Sequence, residues 1–197
     1  MLKASIGFLA IIFSIPSQAR VFTPLAQIGF DGGGDSLHEQ SDQSDFDLRA
    51  GTGFFFSGGT IVTVSDTDPH AFEAQLTLSY KLTWDTDEDQ GDVNWIHIPL
   101  ELMYFYKNKR DNFRLGYGVS YYTSSKLEGE GSRSDIHRKY KNELGYILAI
   151  EKILENPRSE GMVSFGVRYN IRDFIPKDGG AKKNGNAFGL YITIGLP

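Results

Sequence analysis

Ten charged residues recur where an alternating chain would set them on one face of a strand: Asp47, Arg49, Glu73, Lys81, Glu101, Arg114, Glu143, Glu151, Arg168 and Arg172. Acids and bases are nearly balanced. If a closed sheet turns this face inward, the charges must pair and hydrogen-bond, because stranding one buried charge costs several kcal/mol. Two chemistries follow from the same set. One is an ion-pair plug that holds a barrel shut and fixes its register. The other is a narrow polar pore.

Other residues offer less. His38, His70, His97 and His137 are scattered without metal-ligand spacing. Only His97 falls firmly within an alternating segment, which suits packing or a lumen hydrogen bond better than a catalytic base. The acidic stretch 85–92 puts Asp85, Asp87 and Asp89 at alternate positions, a pattern of oxygen ligands that suits Ca²⁺. Its Gly91 comes one place late for an EF-hand loop, and Ile96 stands where that loop needs a glutamate. These three remain weak metal candidates. The stretch reads as a solvated acidic loop, or as carboxylates bridged by divalent cations to lipopolysaccharide phosphates. The glycines between Asp31 and Asp35 lack the spacing and lysine of a phosphate-binding loop.

The elements that position these groups are strands. From Phe72 to Trp84 every even position is apolar or aromatic and every odd position is polar. Side chains in a strand alternate faces, so this segment has one apolar and one wet face. The same pattern recurs in eight segments, beginning near residues 26, 46, 72, 96, 113, 143, 163 and 188. On the second, Phe46, Leu48, Ala50, Phe54 and Phe56 fall on the apolar face, against Asp47, Arg49, Gly51, Gly53 and Phe55. Pro99 lacks the N–H of a ladder donor and predicts a bulge in the fourth.

Alternation alone leaves open which face points in. The apolar faces together carry more large side chains than an eight-stranded interior can hold. The other face, with its Gly, Ser, Thr and paired charges, fits a narrow polar lumen. The expected fold is therefore all-β, an eight-stranded antiparallel up-and-down barrel with its apolar face toward lipid.

Composition agrees. The net charge of −5 argues against nonspecific nucleic-acid binding, and the absence of cysteine excludes disulfides, thiol chemistry and lipoprotein acylation. Beyond the leader no stretch reaches the ~18 consecutive apolar residues of a membrane helix. Lys3, the apolar run Ile6 to Ile15 and Ser17 to Ala19 form a secretory signal, with cleavage expected after Ala19. Residues 1–19 are thus read as the signal peptide and 20–197 as the barrel domain, with both termini periplasmic.

The connections expected outside the cell are 32–45, 85–92, 124–141 and 176–186. Those expected inside are 57–69, 107–112 and 155–161, and 60–64 could instead extend the second or third strand. The first two outer loops are acidic; the last two carry Arg133, Arg138, Lys139, Lys141, Lys177, Lys182 and Lys183. Such basic loops could bind lipopolysaccharide phosphates or other anionic polymers.

The strings Pro99 to Leu102, Phe113 to Gly118, Lys126 to Gly129 and Phe165 to Tyr169 resemble the small porin-like and outer-membrane-protein-X-like barrels of Gram-negative bacteria. The resemblance spans the mature chain. It implies an outer-membrane location; lipid, lipopolysaccharide and the barrel-assembly machinery are the expected partners, and a monomer is expected. It implies no cofactor. The chain departs from the group at its end, where Leu196 and Pro197 stand in place of the usual terminal aromatic.

Three functions stay open: a closed structural or surface-interaction barrel, a narrow pore for ions or small polar solutes, and a lipid A-modifying barrel enzyme. Lipid A deacylases on similar barrels use a His-x-Ser arrangement, which none of the four histidines has, and a triad assembled from distant strands would have only His97 to draw on. No catalytic residue is assigned, and a non-enzymatic role is expected.

Overall fold

A computed structural model describes residues 22–37, 48–87, 91–130, 136–154 and 161–196. The expected signal peptide and Asp47 lie outside them. Eight long strands build the wall: β1 (Phe22–Gly32), β2 (Gly53–Thr67), β3 (His70–Asp87), β4 (Gly91–Asn108), β5 (Phe113–Glu130), β7 (Leu144–Leu154), β8 (Met162–Ile171) and β11 (Ala187–Gly195). Three short ones, β6 (Ile136–Lys139), β9 (Asp173–Phe174) and β10 (Lys183–Asn184), decorate one end. Each long strand pairs antiparallel with its neighbour in sequence, and β1 pairs with β11 from Leu25↔Gly195 to Gly32↔Phe188. Among the described residues these strands close into an up-and-down barrel.

Both terminal strand ends meet at one mouth, hereafter the terminal end; the other is the loop end. The alternation holds in every long strand. On β3, Glu73, Gln75, Thr77, Ser79, Lys81 and Thr83 are buried, while Phe72, Leu76, Leu78, Tyr80 and Trp84 are exposed. The barrel is apolar outside and polar inside, the reverse of a soluble one. Aromatic rings cluster on the exterior near both ends of this apolar band, as in membrane barrels. Phe54 lies between Phe30 and Trp84 toward the loop end, and Phe72 packs on Tyr104 and Tyr106 toward the terminal end.

Pro99 sits at a register shift: Ile98 pairs with Ser124 but Pro99 with Tyr122, so Thr123 is the extra residue. Its hydroxyl donates to the Ile98 carbonyl at 2.7 Å. Several expected loops are strand instead. Residues 57–67 belong to β2, leaving a turn at Asp68 and Pro69. Most of 124–141 is a hairpin in which β5 runs on to Glu130 and β6 returns along it. The sixth segment is strand through Leu154. At the terminal end Lys109 bonds to Asp66, which holds its ammonium pKa above the usual lysine value.

Candidate functional site: the filled lumen

Among the described residues four acids and four bases are enclosed by the wall: Asp31, Glu73, Glu101 and Glu151 with Lys81, Arg114, Arg168 and Arg172. They fall into two layers, because each strand offers an inward position only every second residue. Toward the terminal end, Arg114 on β5 bridges Glu73 on β3 at 2.9 Å and Glu151 on β7 at 2.5 Å. Ser164 and Tyr191 donate to the two oxygens of Glu151, and Lys107 reaches Glu73 at 3.2 Å from the mouth. Toward the loop end the hub is Asp31 on β1. It accepts Arg168 on both oxygens, at 2.9 and 2.7 Å, and Lys81 at 2.8 Å. Arg168 also extends to Glu101 at 3.5 Å, and Lys81 donates to the Gly51 carbonyl at 2.6 Å.

A floor of glycine makes room for these layers. Directly opposite an inward glycine stands a large inward side chain on the next strand: Gly29↔Phe55, Phe105↔Gly116, Gly166↔Tyr191 and Gly189↔Arg168. A Cβ on Gly116 would lie 2.4 Å from the Phe105 ring, and one on Gly166 2.5 Å from Tyr191. With no Cβ in the way the rings lie flat, and the guanidinium groups stack on them. Arg168 lies 3.7 Å above Phe55 and Arg114 4.3 Å above Phe105, a cation–π contact in a desolvated lumen. Gly166→Ala is expected to cost about 1–3 kcal/mol through overpacking. Urea unfolding should show this, with Gly58→Ala, which meets nothing within 4 Å, as the neutral control.

Above the ionic layers the interior turns apolar. Leu37, Leu48, Ala50, Val93, Trp95, Tyr122, Leu127, Tyr140 and Phe174 pack into one buried cluster at the loop end. Segments 33–37 and 48–51 fold over the mouth as a hairpin, with Leu37 N–H donating to the Leu48 carbonyl and Ala50 N–H to that of Asp35. Asp35 N–H in turn holds the Asn184 carbonyl of β10. The Trp95 indole donates to the Ala50 carbonyl at 3.0 Å and meets Tyr140 and Phe174 edge-on. This cluster is a stopper.

The sequence-based set maps onto this interior unevenly. Glu73, Lys81, Glu101, Arg114, Glu151, Arg168 and Arg172 converge in the lumen. Arg49 does not: it is exposed on the turn between β1 and β2, and Leu48 and Ala50 point inward in its place. The segment Gly51 to Gly53, with Gly53 at φ 153°, shifts the alternation by one residue, so the parity of β2 cannot be carried back across it. Glu143 is half-buried just ahead of β7, its carbonyl accepting Tyr122 N–H. Asp31, the hub, is absent from that set although alternation of the first segment places it inward. Lys107, at the mouth, is absent too.

Arg172 has no carboxylate within ion-pair distance among the described residues. It touches the Gly51 carbonyl at 3.4 Å and stacks on Tyr122 and Phe174. His97 is enclosed by Trp95, Tyr122 and Phe174, with Nδ1 3.3 Å from Ser125 Oγ. Among the described residues no carboxylate bonds to it, and it faces the lumen rather than the exterior. Asp85 and Asp87 lie in the β3–β4 hairpin, across from Val93 and Gly91, while Asp89 lies outside the described residues. Among the described residues no group of three potential ligands could hold a metal. On the exterior, an apolar groove of about 370 Å³ runs between Leu115, Leu148, Ile150, Val167, Tyr169 and Phe188.

No protein-family model matches the sequence, and no curated protein matches it. Among solved structures, the crystal structure of Neisserial surface protein A superposes with a TM-score of 0.50 at 11% identity, covering 91% of this chain and 99% of that one. The outer membrane protein AlkL, determined in lipid bilayers, gives 0.40 at 12% identity, with 92% and 90% covered. The chain shares the closed eight-stranded antiparallel barrel fold of Neisserial surface protein A.

Proposed function

We propose that the chain is an outer-membrane barrel of a Gram-negative bacterium with a structural or surface-interaction role. Its lumen is closed, its termini are periplasmic and its loop end faces outward. The observation that carries this reading is a lumen blocked twice, by the cross-linked charges and by the apolar stopper. An eight-stranded interior is barely wide enough for its own side chains, so two filled layers in series leave little room for solute. The exposed apolar band and its aromatic ends support the lipid setting. Partners on this reading are lipid and lipopolysaccharide, with the assembly machinery during biogenesis, and neither an enzyme activity nor a cofactor is proposed.

A narrow pore is the second reading. His97 Nε2, Tyr122 Oη and Arg172 Nε are buried with no protein hydrogen-bond partner among the described residues, a set that water could bridge. Planar-bilayer recording on the refolded protein separates the two. A silent bilayer is expected, with folding confirmed by the mobility difference between unboiled and boiled samples. Reproducible conductance that changes in Glu101→Gln would replace the closed barrel with a pore.

A further inference from the structure

The β5–β6 hairpin presents an arrangement that sheets usually avoid. Lys126 of β5 is directly opposite Lys139 of β6. On the far side of β6, Tyr140 bridges Pro176, Lys177 N–H donates to the Lys139 carbonyl at 2.9 Å, and Lys141 N–H to that of Ile175 at 2.8 Å. This register sets Lys139 opposite Lys177. Three lysines therefore form a row across three adjacent backbone segments, and directly opposite Cβ atoms are about 4.5–5.5 Å apart. The row faces outward: its neighbours Leu127 and Tyr140 are the ones buried in the stopper. Lys141 stands beside it, two residues from Lys139.

Like charges directly opposite destabilise a sheet. The carboxylate Glu128 offers little relief, at 3.9 Å from Lys126 with both groups well exposed. Among the described residues Lys139, Lys141 and Lys177 have no ion pair within 4 Å, whereas nearby Arg138 and Lys182 are held by Asp178 and Asp173. The height of the row is informative. The exterior apolar faces of β5 and β7 end at the pair Tyr121↔Leu144. Lys126 lies five residues farther along, so with strand rise and tilt the row stands roughly 10–15 Å beyond that pair. Headgroups extend about 5–8 Å beyond the hydrocarbon core on each side, so the row stands just above them, and lysine side chains reaching back toward the bilayer meet their phosphates.

We propose that Lys126, Lys139 and Lys177 form a binding row for the phosphates of a phosphorylated glycolipid in the outer leaflet. Bridging phosphates would convert a repulsive row into a neutralised one, each lysine acting as a point charge on a multivalent anion. The inference rests on the orientation proposed above, with the loop end outward.

Native mass spectrometry of the folded full barrel, released from vesicles containing bisphosphorylated lipid A, tests it. Three forms accompany wild type: the triple variant Lys126→Gln, Lys139→Gln and Lys177→Gln, its triple Lys→Arg counterpart, and a terminal-end control, Lys109→Gln with Arg110→Gln. Bound lipid A is expected to fall about tenfold or more in the glutamine variant and to persist in the other two. The fully dephosphorylated glycolipid should bind the wild type no better than it binds the glutamine variant. Retention within about twofold in the glutamine variant, or an equal loss in the terminal-end control, would overturn the row. Gel mobility and protection from protease in the same vesicles report insertion. Failure of wild type to insert counts against the membrane barrel itself; inserted variants that bind alike count against the row alone.

Discussion

Asp31→Ala is expected to cost about 3–5 kcal/mol, the range for removing one partner from a buried ion pair. Asp31 is the shared acceptor of Arg168 and Lys81 and is itself wholly buried. Without it, the loop-end layer holds Lys81, Arg168 and Arg172 against Glu101 alone, and of these three cations Glu101 pairs with Arg168, at 3.5 Å, its other oxygen being taken by Thr77. Three cations in a lumen walled from water cannot all find a substitute. Asp31→Asn keeps the volume and should lose nearly as much, which would identify charge rather than packing as the cause. Glu143→Ala is the contrast: its half-buried side chain lies at the mouth, and a change within about 0.5 kcal/mol is expected. Urea unfolding of the barrel in lipid vesicles measures all three. A loss below about 1 kcal/mol for Asp31→Ala would mean that the loop-end layer is not a structural unit.

That prediction turns on a residue which the chemistry-first reading of the sequence passed over, and the reason is physical. Alternation says which face a side chain takes, and it did so for the eight wall strands, from Phe72 to Trp84 most clearly. It says nothing of register around the barrel, and register decides partners. Arg168 meets Asp31, 137 positions away, because β1 pairs with β11 and β11 with β8. No local pattern encodes that closure. The glycine floor is invisible for the same reason, since Gly166 reads as a weak strand residue until Tyr191 is known to lie across from it.

The loop end was illegible for a different reason. The rule that apolar means outward holds only where lipid covers the exterior. Strands β3, β4 and β5 each run to 18 residues, well past the ~9–11 that cross a bilayer. Above the apolar band the outside is wet, so hydrophobic side chains gain by turning inward, as in any soluble core. Leu48, Ala50, Trp95 and Leu127 follow the second rule. The bulge at Thr123 and the phase shift at Gly51 to Gly53 are where the chain changes from one to the other on β5 and before β2.

The stopper is therefore a separable core, and Trp95→Ala tests it as one. The indole is fully buried, packs on Tyr140, Phe174 and His97, and donates the bond that ties Ala50 to the wall. Truncation of a buried aromatic costs about 3–5 kcal/mol where surroundings cannot collapse. Here the hairpin of segments 33–37 and 48–51 can move, so the lower end of that range is expected, with damage confined to the loop end. The wall should keep its boiled-versus-unboiled mobility shift, while protease added from the loop side should cut near residues 48–51 at least about tenfold faster, because opening of that hairpin would no longer be opposed by the indole. Trp95→Phe, which keeps a ring but not the donor, should lose only about 1 kcal/mol relative to its packing cost. The bilayer should remain silent in both variants, because the Asp31 layer still lies beneath. Conductance in Trp95→Ala alone would show that the stopper, not the charges, is the seal, and the ionic layers would then be the lining of a gated pore.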